Sequence, residues 1–486
     1  MNLPVEFKEK MKKFLGDEWE DFLYCYENNK YQALRFNVLK EGLDSSKYEA
    51  ILNRLGIREV TPVDWAVNGY YYDEETARPG KHPYHEIGLY YIQEPSAMSA
   101  ASLLEPRPGM RVLDLCAAPG GKSTQLASYL GQKGLLVSNE INNSRCRILS
   151  SNIERMGVRN AVVTNEDSGS LAEHFPGFFH AVLVDAPCSG EGMFRKNPEA
   201  MNEWSPEQVL VCAKRQYEII CNASAMLMPG GDMVYSTCTF SKEENEDLIE
   251  KFLSEHQDYT LVEQKRIMPH KVHGEGHFVA KLHREGVLNF DEADASCIYA
   301  SNNDSVKKSG KNQKSEKDKK SGKDKSSKAK ASKGSLSMDM EKALDEFLSD
   351  VVSEDMAQWI KTGRLELFGE QLYRLPDVDI NLRGIHVLRA GLHIGEFKKN
   401  RFEPSFALAL TLGKSDVKKY VELPCEDIRT LGYFNGQSII FDGDEIDPKL
   451  KGWCLFGIDG FSAGWGKIAN GQMKNHYPKG LRRNLA

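Results

Sequence analysis

Five short apolar runs, each followed by a loop rich in glycine, acid or cysteine and then by a helical pattern, confine residues 109–280 to one kind of fold. The runs fall at 111–115, 135–139, 161–164, 181–184 and 232–236. Helical periodicity fills 122–130, 143–156 and 206–228, the last stopping before Pro229-Gly230-Gly231. Ser241-Lys242-Glu243-Glu244 reads as a capping box opening a further helix. Strands alternating with helices predict a doubly wound α/β domain on a parallel sheet. Ligands of such sheets sit beyond the carboxyl ends of the strands, so the loops there are the candidate site.

The first of these loops is Asp114-Leu115-Cys116-Ala117-Ala118-Pro119-Gly120-Gly121-Lys122-Ser123, which is neither a P-loop nor GxGxxG. Its paired glycines allow close backbone approach, and the helix start beyond them suits a carboxylate. Glu140 ends the second strand where ribose hydroxyls are bound in related sheets, and Asp167 follows the third, either as an adenine ligand or as a helix cap. The fourth strand runs into Val184-Asp185-Ala186-Pro187-Cys188-Ser189-Gly190 and the fifth into Tyr235-Ser236-Thr237-Cys238-Thr239-Phe240. Two thiols therefore stand on neighbouring strand-end loops. Either is a candidate nucleophile by position, and Pro187-Cys188 resembles the Pro-Cys nucleophile of DNA cytosine methylases. The basic Arg195-Lys196 pair is a candidate phosphate contact; Asn197, Pro198 and Trp204 follow the Cys188 loop and are candidates to pack on an unstacked base, although a tryptophan such as Trp204 is more often simply core. Cys25, Cys146, Cys212, Cys221, Cys297, Cys425 and Cys454 read as small buried hydrophobes.

Ten scattered cysteines with no CxxC pair, and an opening MNLPVEFKEKMKKF without a leader pattern, predict a reducing, cytoplasmic setting. No apolar stretch is long enough for a membrane helix. The net charge of −7 hides an asymmetry: residues 307–333 hold twelve Lys against three acids, and removing that +9 leaves −16 on the rest. RNA contact by the folded parts must then use local basic patches. The Lys/Ser-rich stretch, taken as 300–336, is too poor in apolar residues to order itself and divides the chain. Before it, residues 1–95 predict a small α+β region with an amphipathic start at Phe7, Met11, Phe14 and Leu15. After it, 338–362 reads as helix, followed by β-rich runs at 371–375, 385–389, 438–441 and 454–458. His270, His273 and His277 around Glu275 have a spacing that could suggest a metal site, but no cysteine lies nearby and there is no HExxH; His82 and His85 are discounted in the same way, so no metal is expected.

The motifs DLCAAPGGKS, VSNEINNSR, DAPCSGEGMFRKNP and YSTCTFSKEENE, in this order over roughly residues 90–285, are similar to the Nol/Nop/Sun family of RNA cytosine carbon-5 methyltransferases. Residues 88–96 and 266–278 resemble its bacterial branch acting on 16S RNA. Gly464-Trp465-Gly466-Lys467 and the segment 474–482 are similar to a PUA-like RNA-binding domain. The resemblance implies a Rossmann-like class I methyltransferase domain at 96–285 and an RNA-binding role for the α+β region at 1–95. It also implies an α+β region at 337–424 and a β-rich PUA-like domain at 425–486. It implies S-adenosylmethionine as cofactor, held by Cys116, Ala117, Ala118, Pro119, Gly120, Gly121, Lys122, Glu140, Asp167 and Asp185. Cys238 would be the nucleophile, Cys188 would help release product, Asp185 would meet the cytosine ring as an acid, and Lys122 would support them. Ribosomal RNA or the small ribosomal subunit would be the partner of a monomeric enzyme. A transfer-RNA methylase, or a non-catalytic ribosome-assembly factor on the same fold, are the alternatives; the two thiols speak against the second.

Overall fold

The structure, a computed structural model, describes residues 3–27, 30–288, 290, 336–399 and 401–485. The Lys-rich stretch falls outside the described residues. The catalytic sheet is built from β1 (Arg111–Asp114), β2 (Leu135–Asn139), β3 (Ala161–Thr164), β4 (Phe179–Asp185), β5 (Leu227–Thr237), β6 (Tyr259–Ile267), β7 (His277–Arg284) and β8 (Val387–Ala390). Their spatial order is β8-β3-β2-β1-β4-β5-β7-β6. β1 to β5 are parallel neighbours, while β7 runs antiparallel between β5 and β6. Helices α1 (Gly121–Leu130), α2 (Asn143–Arg155), α3 (Ser168–His174), α4 (Pro206–Met226) and α5 (Glu246–Glu255) follow the strands. Apolar residues on both faces of β1, β2 and β4 enter two separate cores, which is why these strands read as continuous apolar runs.

Three local expectations change. α4 stops at Met226, and Pro229-Gly230-Gly231 lies inside β5, beside the register shift between Phe179 and Ala181. The capping box at Ser241 does not form, because Ser241 Oγ donates to Glu191 while Glu244 accepts from Ser189 and Gln216. The helix at 338–362 is two helices, Met338–Val351 and Glu354–Thr362, with Ser353 capping the second.

The run at 385–389 does not build a C-terminal sheet. It supplies β8, which pairs antiparallel with β3 and covers an edge that would otherwise expose unpaired backbone groups. Arg389 on β8 donates to Glu154 of α2 at 3.0 Å. The chain's two ends also share a core: Leu34, Phe36 and Tyr90 of the N-terminal three-stranded sheet pack in one cluster with Val421 and Phe456 of the C-terminal five-stranded sheet and with Tyr477 just beyond it. No helix among the described residues is long and apolar enough to cross a membrane.

Lys40 lies buried at this junction and donates to the Leu410 carbonyl at 2.6 Å. Burial pushes its ammonium down to about 7, helped by the positive charge of Arg155. Between pH 7 and the ordinary lysine range the unfolded chain binds a proton that the folded chain does not, so folding gains stability as pH rises through that window. Thermal melts should show this rise in the wild type and a flatter profile in Lys40→Met; parallel profiles would refute the assignment.

Candidate active site

The site lies along the carboxyl ends of β3, β2, β1, β4 and β5, and its two halves meet at β1 and β4. On the β4–β5 side, Cys188 Sγ and Cys238 Sγ are 3.2 Å apart and both residues are half-buried. The hydrogen bond to Cys238 and burial together push the Cys188 thiol well above the ordinary cysteine range. Cys188 therefore keeps its proton at neutral pH.

Buried carboxylates hold the two loops. Glu244 accepts from the Ser189 backbone N–H at 2.9 Å, from Ser189 Oγ, and from Gln216 Nε2 at 2.7 Å. Glu191 accepts from the Phe240 N–H at 2.9 Å, Ser241 Oγ at 2.6 Å and Trp204 Nε1 at 3.0 Å. Thr237 Oγ1 donates to Asn245, whose amide in turn donates to the Thr239 carbonyl. Neither thiol loop depends on its own sequence alone for its shape.

Between the halves, Lys122 Nζ donates to Asp185 Oδ2 at 2.8 Å, and Ser236 Oγ donates to Asp185 Oδ1 at 2.8 Å. Burial would raise the Asp185 carboxyl, but the Lys122 charge and these hydrogen bonds outweigh it and hold Asp185 below the usual carboxylate range. Lys122, opposed by burial but facing Asp185, Asp114 and Cys238, is held above the ordinary lysine range. Asp185 is thus an ionised acceptor in the free protein, which corrects the expectation of an acid that arrives protonated. Asp114, absent from the sequence-derived site, is fully buried beside this pair and accepts from Ser123 Oγ at 2.7 Å. Burial and the nearby Asp185 push it up to about 7, although Ser123 opposes the rise.

The cofactor half departs from expectation in one respect. A Cβ on Gly120 would meet the Leu149 side chain at 3.1 Å, and one on Gly121 would meet Tyr91 and Gln93 at 3.2 Å. Internal packing, together with the positive φ of 113° at Gly120, requires these glycines without any ligand. The rest of the donor set fits S-adenosylmethionine. Gly120 precedes α1 and offers no side chain to cap it, leaving a helix start suited to a carboxylate. Cys116, Ala117, Ala118 and Pro119 lead into that turn. Glu140, buried at the end of β2, accepts from the Asn142 N–H at 2.8 Å and faces Arg145 at 3.4 Å. Burial pushes the Cys116 thiol far up, and Asp114, Asp185 and Glu140 add to the rise, so these strand-end groups converge. Asp167 caps α3 by accepting from the Ser170 N–H at 3.0 Å and remains solvent-exposed. Acidic groups around an uncapped helix start suit a ligand with a sulfonium, a diol and a carboxylate.

Other sequence candidates fall elsewhere. Trp204 is not a base-stacking platform: it is buried against Phe7 and Phe194. Arg195 is no surface phosphate contact either, being buried and paired with Glu275 at 3.4 Å. Lys196 remains partly exposed, and Asn197 and Pro198 exposed. The histidines diverge: His270 meets Glu18 at 3.1 Å, His273 stacks on Tyr31 at 4.1 Å between centroids, and His277 faces Asp185. His82 accepts from the Tyr84 N–H, and His85 lies beside Glu86. Sequence reading missed His277, Asp114, Glu191 and Glu244 as parts of the site. Only His277 and Glu244 left a trace, and both were read as local structure.

Residues 101–283 match the 16S rRNA methyltransferase RsmB/F family. Residues 3–95 match the N-terminal domain of 16S rRNA methyltransferase RsmF, 346–412 the first C-terminal domain of RsmF rRNA methyltransferase, and 420–483 the methyltransferase RsmF PUA domain. Ribosomal RNA small subunit methyltransferase F of Vibrio vulnificus strain YJ016 is 32% identical, over 99% of this chain and 98% of that protein. Among solved structures, PH0851 is similar at a TM-score of 0.52 and 28% identity, over 58% of this chain and 66% of that one. NSun6 from Pyrococcus horikoshii with SFG, an analogue of S-adenosylmethionine, shares the fold at a TM-score of 0.52 and 22% identity, over 58% of this chain and 99% of that one. With a relative this similar along almost its whole length, the chain belongs to the RsmB/F family of 16S rRNA methyltransferases and is RsmF-like.

Proposed function

We propose that this chain methylates carbon 5 of a cytidine in 16S ribosomal RNA through a covalent adduct on Cys238. The observation that carries the reading is the Cys188–Cys238 pair at 3.2 Å, set beside the Lys122–Asp185 ion pair at 2.8 Å. S-adenosylmethionine, when bound by 116–122, Glu140, Asp167 and Asp185, supplies an electrophilic methyl group. Carbon 5 of cytosine is too weak a nucleophile to take it unaided. Cys238 Sγ adds to carbon 6, and the ring electrons displaced towards nitrogen 3 make carbon 5 enamine-like. Asp185 passes a proton from Lys122 to nitrogen 3 as its basicity rises. After methyl transfer a water molecule takes the carbon-5 proton, nitrogen 3 returns its proton through Asp185 to Lys122, and the carbon 6–sulfur bond breaks with its electron pair returning to Cys238. Cys188 assists that elimination, directly or through water.

Support for assigning attack to Cys238 comes from the proton held by Cys188 and from the Lys122 charge facing Cys238. A thiol reaches a pyrimidine ring only when the base is unstacked, so the substrate is single-stranded or locally opened RNA. Residues 1–95 and 425–486 serve as RNA-binding regions on either side of the 96–285 catalytic domain, with 337–424 bridging them and 300–336 as linker. The enzyme acts as a monomer in the cytoplasm, on the small ribosomal subunit or its RNA.

Incubation with methyl-labelled cofactor and RNA should give carbon-5 methylcytidine in 16S RNA, mapped by bisulfite sequencing; label found in transfer RNA alone, or no transfer at all, would refute the reading. Cys238→Ala should lose more than about a thousandfold in rate and form no adduct, while Cys188→Ala accumulates a gel-stable protein–RNA adduct. An adduct on Cys238→Ala would reverse the two roles. A Cβ on Gly192 would lie 2.9 Å from both the Cys238 and Gly276 carbonyls. Gly192→Ala should therefore shift the thiol loop and slow methylation about tenfold or more with unchanged circular dichroism; full activity would show that the loop tolerates displacement.

A further inference from the structure

His277 begins β7, next to the residue that pairs with Thr237, so its side chain stands beside the Cys238 loop. Gly276 sets its direction: φ there is 122°, and a Cβ would strike the Phe240 ring at 2.4 Å. The imidazole is buried, and its Nε2 lies 3.7 Å from Asp185 Oδ1 with no hydrogen-bond partner among the described residues. The Gly276 backbone is the acceptor that raises the ring's pKa, so a neutral imidazole that turns its N–H there leaves the unpartnered Nε2 as the acceptor nitrogen. Burial, with Lys122 opposing any second positive charge, drives the imidazole down to about 4 despite the acids Asp185 and Glu94 nearby, so the ring stays neutral. Two acceptors thus face each other 3.7 Å apart: the unpartnered Nε2, and Asp185 Oδ1, whose one donor among the described residues is Ser236 Oγ.

We propose that His277 determines base specificity: its Nε2 and Asp185 Oδ1 accept the two hydrogens of the target cytosine's exocyclic amine. A donor nitrogen about 2.9 Å from each acceptor would see them at about 80°, bending each bond by about 20° from the amine's ideal fork, which hydrogen bonds tolerate. Uracil presents a carbonyl oxygen at the same position and would set lone pairs against lone pairs. A site built to receive two hydrogens rejects a base that lacks them far more strongly than an apolar pocket would. The inference rests on the cytosine reading above.

The test crosses a change in the enzyme with a change in the base. Target RNA carrying cytidine, or pyrimidin-2-one ribonucleoside lacking the amine, is presented to wild type, His277→Phe and His277→Gln, and the rate of covalent adduct formation is followed. Loss of the amine should slow the wild type about tenfold or more. His277→Phe should react more slowly with cytidine yet lose about tenfold less on amine removal, with His277→Gln, whose amide oxygen can still accept, in between. An equal penalty in wild type and His277→Phe would overturn the proposal. Should His277→Phe fail to fold, nitrogen NMR of the wild type decides: the Nε2 resonance should shift with cytidine RNA and not with the amine-free RNA, and the same shift with both RNAs would overturn it. Absence of wild-type reaction with cytidine RNA would instead sink the cytosine-methylation reading itself.

Discussion

The ion pair between Lys122 and Asp185 is the contact on which the rest of the site depends. Lys122 stands in the first turn of α1 and Asp185 at the tip of β4, so their 2.8 Å bond ties the loop that receives the cofactor to the strand that carries the first thiol. A buried charge without its partner is strongly destabilising, so neither side chain can be removed while the other stays ionised. Lys122 faces more than one acid. Asp114, Asp185 and Glu140 approach the same strand ends, and only Asp185 is paired with the lysine. Asp114 absorbs the imbalance by rising to about 7, close to neutral pH. The result is a negatively biased pocket beside a lysine that also faces Cys238, which suits a sulfonium on one side and a nucleophilic sulfur on the other.

The thiol half is stiffened by carboxylates that do no chemistry. Glu191 and Glu244 are completely buried, yet each is surrounded by backbone and side-chain donors from the two loops. Hydrogen bonds to a charged acceptor are stronger than neutral ones, and a satisfied buried carboxylate imposes a single arrangement on every donor that reaches it. This explains why the capping box at Ser241 fails. Glu244 reaches across to Ser189 and Gln216, so the helix start loses its reciprocal cap and begins instead as a single 3₁₀ turn at Lys242–Glu244. Local helix chemistry yields where the pairing of two catalytic loops is at stake.

How much of this was legible follows from the range over which each signal acts. Strands β1 to β4 and helices α1 and α2 were readable because their apolar periodicity reports burial directly, and Asp185, Cys188, Glu140 and Cys238 were readable because they stand just past those strands. Asp114 is not legible in the same way, since nothing in its neighbours says that its second oxygen is buried without a partner. The buried Trp204 follows the commoner reading of tryptophan as core, whereas Arg195 is misplaced by sequence alone because its partner, Glu275, lies far away in the chain. The same limit applies to β8: an apolar run near residue 387 looks alike whether it joins its own sheet or one built more than two hundred residues earlier.

That distant strand bears on how the protein meets RNA. β8 fixes the region after residue 336 to the edge of the catalytic sheet, and the N-terminal and C-terminal sheets bury their apolar faces in one core. Trp359 reinforces the link, with the Arg159 guanidinium from the catalytic domain 5.0 Å from its ring centre and that of Arg374 3.8 Å away. An apolar core and a shared sheet edge oppose separation of the flanking regions from the catalytic domain. On the proposed mechanism the nucleotide has to leave its stack and reach the thiols, and the contacts that compensate for unstacking would come from surfaces packed against the domain that carries Cys238.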